Sequence, residues 1–158
     1  MKIKIICVGK IKEQFYKDAV DEYLKRLQKF ADVKIIELPD EKTSESASLR
    51  ENEIVLEKEG NRIIEKIDKK DHVIALCIEG KKMSSEALAC RLSDIFMKTD
   101  TVSFIIGGSL GLSEKVKSMS DLKLSFSDMT FPHQLMRVVL LEQIYRTFKI
   151  NNNEPYHK

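Results

Sequence analysis

The stretch Phe104–Val116, FIIGGSLGLSEKV, runs from strand formers through three glycines into a helix start near Ser113. Its apolar run begins upstream as TVSFII, residues 101–106, and stops abruptly at Gly107. Glycines at the C-terminal end of a strand mark a place where something approaches the backbone closely. The spacing is G-G-x-x-G, which is neither the dinucleotide fingerprint G-x-G-x-x-G nor a Walker A loop, since no Gly-Lys-Ser/Thr follows. A plain turn before a capped helix explains two of the three glycines, so the loop by itself does not name its ligand.

Working outward, the same strand-then-helix unit recurs. KIKIICV (Lys2–Val8) reads as a strand ended by Gly9, and Phe15, Ala19, Tyr23, Leu27 and Phe30 recur near helical period. Val33–Leu38 is a second strand stopped by Pro39, and Leu49–Ile67 a second helix with Gly60 as a weak point. His72–Ile78 is a third strand, and a helix capped by Ser84 or Ser85 runs to about Met97. After the glycine loop come a short helix, Ser113–Met119, and a fifth strand, LKLSFS. Thr130 and Pro132 mark the start of a last helix reaching about Ile150. Such alternation implies one α/β domain over residues 1–158, with a mostly parallel sheet flanked by helices. Ligands of such sheets sit outside the carboxyl ends of the strands. Here that edge holds Gly9–Lys12, Glu79–Lys82, Gly107–Gly111 and Ser127–Phe131.

Composition narrows the class. Apolar residues make up 42% and charged residues 33% of 158, which describes a soluble globular chain. No window reaches the roughly 18 apolar residues of a membrane span, and the N-terminus reads as a strand and not as a signal peptide. A cytoplasmic location without membrane association follows as the expectation. Cys7, Cys77 and Cys90 are an odd, unpaired set, so no disulfide framework is expected, and Cys7 and Cys77 read as buried small hydrophobes. His72, His133 and His157 are too scattered to suggest a metal site. The net charge of +2 is uneven: residues 1–30 carry eight Lys/Arg against four Asp/Glu, and residues 37–60 three against eight. Lys10, Lys12, Lys17, Lys81 and Lys82 are candidate contacts for a polyanion; each alone is also an ordinary solvated side chain.

Two further segments carry chemistry. SFSDMTFPH joins the last strand to the last helix and is rich in hydroxyls and backbone donors; Ser127 and Thr130 can cap the helix or orient a ligand. The helix that follows, LMRVVLLEQIY, is apolar nearly all round. It must be covered on several sides, by a second copy in a homodimer or as the core helix of a monomer. His133 and Arg137 are four apart and share one helix face. The tail EPYHK ends in Tyr156, His157 and Lys158, where a frayed terminus is the plain reading and a segment folded over a ligand the sharper one.

Together FIIGGSLGL, LSFSDMTFPHQLMRVVLLEQIYR and the terminal PYHK resemble the small SPOUT-class methyltransferases of the RlmH (YbeA-like) type, and MKIKIICVGKIKEQFYKDAVDEYLKRL resembles that family's opening. The likeness spans essentially the whole chain. It implies a SPOUT-type α/β-knot with a C-terminal trefoil knot, a homodimer through the last helix, and S-adenosylmethionine as methyl donor without a metal. The implied reaction is methylation of N3 of a pseudouridine in 23S ribosomal RNA, on the assembled ribosome. The implied cofactor positions are Leu76, Gly107, Gly108, Phe126, Ser127, Asp128, Met129, Thr130 and Phe131. Gly107 and Gly108 are expected to admit the flat adenosyl group, and Asp128 to face solvent or the positive sulfonium. His133, Arg137, Tyr156 and His157 are expected around the target base, with Arg137 on a phosphate or base carbonyl, Tyr156 stacking or hydrogen-bonding, and a histidine or water taking the N3 proton. The tail is expected to reach the neighbouring protomer's cofactor site. Two rivals remain: a non-catalytic ribosome-associated RNA-binding protein, and a dinucleotide oxidoreductase, against which the missing G-x-G-x-x-G speaks.

Overall fold

Strand β1 (Lys2–Val8) shows how the layers arise. Successive strand side chains point to opposite faces, and Ile3, Ile5 and Cys7 enter one apolar cluster while Ile6 and Val8 enter another. A sheet buried on both faces is the rule for parallel strands. The computed structural model describes residues 1–156. After β1 come α1 (Gln14–Leu27), β2 (Asp32–Leu38), α2 (Leu49–Ile64), β3 (His72–Lys82), α3 (Ser85–Phe96), β4 (Thr101–Ile106), α4 (Glu114–Met119), β5 (Leu122–Ser125) and α5 (His133–Asn151). The five strands pair in the order β2-β1-β4-β3-β5, every neighbour parallel. Helices α1, α3 and α5 fill one face through residues such as Leu27, Leu92 and Leu141. Helices α2 and α4 cover the other through Ile63 and Val116. The alternating α/β reading and the parallel sheet are thus what the chain forms.

The differences lie at element ends, and each has a local cause. β3 runs past Ile78 to Lys82 because it leaves its ladder and returns to it. Leu76 pairs with Leu124 of β5, and Lys81 pairs with the same Leu124, so Cys77–Gly80 bulge out between them. Gly80 permits the return: a Cβ there would lie 2.7 Å from the Leu124 carbonyl carbon. Gly60, a weak point by propensity, is where α2 meets α4. A Cβ on it would lie 2.5 Å from Oγ of Ser113, the residue whose hydroxyl caps α4 by accepting from Val116 N–H at 3.3 Å.

α5 is covered largely by its own chain. Arg137, Leu140, Leu141, Ile144, Tyr145, Thr147 and Phe148 are buried, and the remaining residues from His133 to Ile150 are partly buried. Leu135 and Val139 stay partly exposed on its outer side. The all-round apolar pattern is therefore explained mostly within one protomer, and only that outer strip asks for a partner. No described helix is long and apolar enough to cross a membrane.

Candidate active site

A cavity of about 760 Å³ opens at the carboxyl edge of the sheet, within the roughly 300–1,000 Å³ of small-molecule sites. Its walls are residues 76–79 of the β3 bulge, 106–112 of the glycine loop, and 124–127 and 129–133 between β5 and α5, with Lys117 and Met136. The bulge makes room for it, since a β3 paired continuously with β5 would leave residues 77–79 in the ladder. Leu76, Gly107, Gly108, Phe126, Ser127, Met129, Thr130 and Phe131 all line the cavity, as does His133.

The glycine loop packs tightly on itself and on its neighbours. A Cβ on Gly107 would lie 2.3 Å from the Gly111 carbonyl oxygen, and one on Gly108 3.1 Å from Glu59 Oε2 and Val8 Cγ1. Gly107 is thus required by the loop's own closure, Gly108 lies close against α2 and β1, and both line the cavity. The closure is an isolated bridge in which Gly111 N–H donates to Gly108 O at 3.1 Å. Gly111 has φ +81°, a left-handed conformation that favours glycine. The folded loop forms a backbone-lined wall, a surface suited to hydrogen-bonding a flat heterocycle.

The 126–132 segment is held by its own hydroxyls. Ser125 Oγ donates to Ser127 O at 3.1 Å, and Met129 N–H donates to Ser127 Oγ at 3.0 Å. Ser127 therefore braces the loop and does not cap α5, whose N-cap is Pro132 with no side-chain cap bond. Asp128 is turned away: its side chain is 79% exposed, pairs with Lys82 and is not part of the cavity wall. Of its two expected settings, the solvent-facing one holds. Cys77 lies in the bulge, partly exposed on the cavity wall, whereas Cys7 is buried, where loss of hydration pushes its thiol up to about 12.

His133 is the hinge between the cavity and the first loop. Its Nε2 would be 3.2 Å from a Cβ on Gly9, a glycine at φ +85°. Burial, then the nearby Arg137 charge, hold its pKa below the ordinary imidazole value, so the ring is neutral at pH 7. Arg137 is not beside it in the cavity. Its side chain is fully buried, with Nη1 donating to Glu37 Oε1 at 2.6 Å and Nη2 to Gly9 O at 2.6 Å and Val8 O at 3.3 Å. This departs from a guanidinium that holds phosphate or base, because its fork is already engaged by protein acceptors. Glu37 also accepts from Ile11 N–H at 3.0 Å, and Gln134 Oε1 from Lys12 N–H at 2.8 Å. Glu37, Arg137 and Gln134 thereby clamp the Gly9–Lys12 loop under His133. Sequence reading missed Glu37 and Gln134, whose only signal was a lone polar residue at a strand end and one on a helix start.

Tyr156 lies beyond the end of α5 and packs back against the middle of that helix. Its hydroxyl donates to Glu142 Oε2 at 2.8 Å, its ring meets Tyr145 edge-on at 5.0 Å, and the Arg146 guanidinium covers it at 4.8 Å. Glu142 is nine residues beyond His133, about 13 Å along the helix axis. One protomer therefore does not bring Tyr156 to His133. The frayed-tail reading fails as far as Tyr156, which is docked; His157 lies outside the described residues. Among the described residues no His/Cys/Asp/Glu cluster could hold a metal ion. Lys10, Lys12, Lys17, Lys81 and Lys82 are all exposed.

A deep wall of backbone and apolar side chains, beside a neutral imidazole at a sheet edge, suits a nucleoside-bearing cofactor and a proton transfer. The comparisons agree with that class. Residues 1–157 match the family model described as "Predicted SPOUT methyltransferase", and the chain belongs to this family. It is 55% identical to the Ribosomal RNA large subunit methyltransferase H of Clostridioides difficile (strain 630) and 56% identical to that of Streptococcus uberis (strain ATCC BAA-854 / 0140J), each over the full length of both chains. A solved structure described as a probable methylase family protein from Haemophilus influenzae Rd KW20 superposes with TM-score 0.57 at 10% identity, covering 99% of this chain and 70% of that one, a likeness of fold.

Proposed function

We propose that this protein transfers a methyl group from S-adenosylmethionine to N3 of a pseudouridine in 23S ribosomal RNA on the assembled ribosome. The observation that carries the reading is the single cavity built by the β3 bulge, the glycine loop and residues 126–133 in a chain of this family. The relatives' printed names supply the large-subunit rRNA substrate. The backbone-lined wall and apolar side chains fit an adenosyl group, and no phosphate cradle is needed for it. When bound, S-adenosylmethionine supplies an electrophilic methyl group.

The chain's own residues do the rest. The loop 126–131 and the glycine loop hold the cofactor, and alignment of the two reactants can account for roughly 7–11 kcal/mol of barrier. His133, neutral at pH 7, would take the N3 proton that methylation displaces. Arg137 is a positioning residue: it fixes the Gly9 loop against which the His133 ring lies. Two protomers pair across the outer strip of α5, so that Tyr156 of one reaches the cavity of the other. The C-terminal trefoil knot belongs to the same reading. Lys10, Lys12, Lys17 and Lys81 contact phosphates, so ribosome binding should weaken steeply with salt.

The test is calorimetry of the purified protein with S-adenosylmethionine, followed by transfer of labelled methyl to ribosomes whose 23S RNA lacks the modification. Label mapping to N3 of one pseudouridine supports the proposal. Cofactor binding with no transfer to ribosomes or free 23S RNA overturns the substrate, and ribosome binding with no cofactor affinity leaves the non-catalytic RNA-binding reading.

A further inference from the structure

Lys117 and Glu79 are the fixed charges on the cavity wall; the other lining residues are glycines, apolar side chains, hydroxyls, a thiol and the neutral His133. They come from different elements, Glu79 from the β3 bulge and Lys117 from α4, and Lys117 Nζ donates to Glu79 Oε1 at 2.5 Å. Glu114, one turn earlier on α4, takes a second contact at 2.5 Å. An ammonium has three donors, so one N–H of Lys117 remains beyond these two carboxylates. The Lys117 side chain is only 15% exposed, in contrast to Glu114 at 86%. It lies along the cavity and is not spread into solvent. Its pKa is raised by the two carboxylates, and that of Glu79 is lowered chiefly by Lys117, so both groups are charged at pH 7.

The position of the pair matters as much as its charge. α4 packs on the sheet face shared with α2, whereas His133 begins α5 on the opposite face. The cavity therefore has an ionic end beside α4 and an imidazole end beside α5. A nucleoside has no fixed charge to match the ionic end, but an α-amino acid group has one cation and one anion.

We propose that Lys117 and Glu79 form the subsite for the amino-acid end of the cofactor, Lys117 donating to its carboxylate and Glu79 accepting from its ammonium. This rests on the cofactor reading above. A zwitterion entering here gives Glu79, 55% exposed, a second cation and gives the remaining N–H of Lys117 a carboxylate, so neither end of the ligand enters the cavity unpaired. It also leaves the His133 end free for the base. Lys117 and Glu79 then discriminate S-adenosylmethionine from adenosine thioethers that lack the amino acid.

The experiment is calorimetric titration of wild type, Lys117→Met, Lys117→Arg and Glu79→Gln with S-adenosylmethionine and with 5′-methylthioadenosine, which keeps the adenosine and lacks the amino acid. Circular dichroism and the unfolding midpoint confirm that each variant is folded. Lys117→Met is expected to weaken S-adenosylmethionine about tenfold to a hundredfold, with 5′-methylthioadenosine changed less than about twofold and Lys117→Arg recovering most of the loss. Glu79→Gln should show the same selectivity in smaller measure. Equal loss of both ligands assigns the pair to the ribose or to holding the bulge, and it overturns the proposal. Unchanged affinity of Lys117→Met for S-adenosylmethionine also overturns it while leaving the cofactor reading intact. Failure of the wild type to bind either ligand defeats the cofactor reading itself, and the subsite with it.

Discussion

Arg137 and Glu37 meet at 2.6 Å across one hundred residues of chain, joining the start of α5 to the end of β2 with the guanidinium fully buried. Removing one partner of such a pair strands the other and also orphans the Gly9 carbonyl. Arg137→Met should lower stability by about 3 kcal/mol, at the low end for a broken buried pair because Glu37 is partly solvated. Urea unfolding of the variant measures this. A stable Arg137→Met protein that had lost only RNA affinity would place the guanidinium on the substrate after all.

The glycine loop separates two kinds of glycine. Gly107→Ala puts a Cβ 2.3 Å from the Gly111 carbonyl oxygen, so the loop must open. Gly111→Ala meets no atom within 4 Å but has to hold φ +81°, at a cost of roughly 1–2 kcal/mol. Gly107→Ala should abolish cofactor binding, while Gly111→Ala should mainly lower the melting temperature. Calorimetry and thermal melts on the same preparations distinguish the two.

Glu59 sits 4% exposed under the glycine loop, with Oε1 accepting from Glu41 N–H and Oε2 without a hydrogen bond among the described residues. Burial, with Asp40 and Glu41 nearby, raises its pKa above 4.5. The folded state then holds the proton more tightly than the unfolded one. The stability it contributes is complete below the unfolded pKa and lost as pH rises through the folded value. Glu59→Gln should therefore raise the melting temperature at pH 7–8 and make no such difference below about pH 4.5. A melt series over pH checks the crossover, and a uniform offset at every pH would point to packing instead.

His133 has the opposite sense. Its pKa is depressed below 6.5 by burial and Arg137, so its service as a proton acceptor is retained at pH 7 and lost as pH falls through that lower value. The rate of methyl transfer should fall on the acid side accordingly. His133→Ala should reduce turnover about 10²–10⁴-fold and remove that acid limb, with S-adenosylmethionine affinity altered far less. Single-turnover rates between pH 5 and 8 measure it, and an acid limb that survived the substitution would move the base elsewhere.

The outer strip of α5 is tested by charge. Val139 is partly exposed and apolar, and Val139→Asp should convert a dimer to monomers with little loss of fold, since its side chain lies outside the buried set of that helix. Light scattering after gel filtration reads the mass. A monomeric wild type at micromolar concentration would defeat the composite site that unites Tyr156 with the cavity.

Periodicity and turn residues alone determined the order of strands and helices, because alternation by two and recurrence near 3.6 are local properties of the chain. The carboxyl-edge segments followed from that order, since every strand of a parallel sheet ends at the same edge. Segments 107–111 and 127–131, and Glu79 itself, were legible for that reason. What the sequence could not disclose are the relations between distant residues. Leu76 and Lys81 pair with the same Leu124, and the cavity opens in the space between them. Gly107 is glycine because Gly111 folds back on it, and Gly60 because Ser113 lies against it. Arg137 read as a ligand-facing cation beside His133, yet Glu37 and two carbonyls draw its fork inward. Nothing in the sequence singled out Lys117; only the fold of β3 brings Glu79 to within 2.5 Å of it. A cation's role depends on which acceptors lie within about 3 Å, and only the packed chain sets those distances.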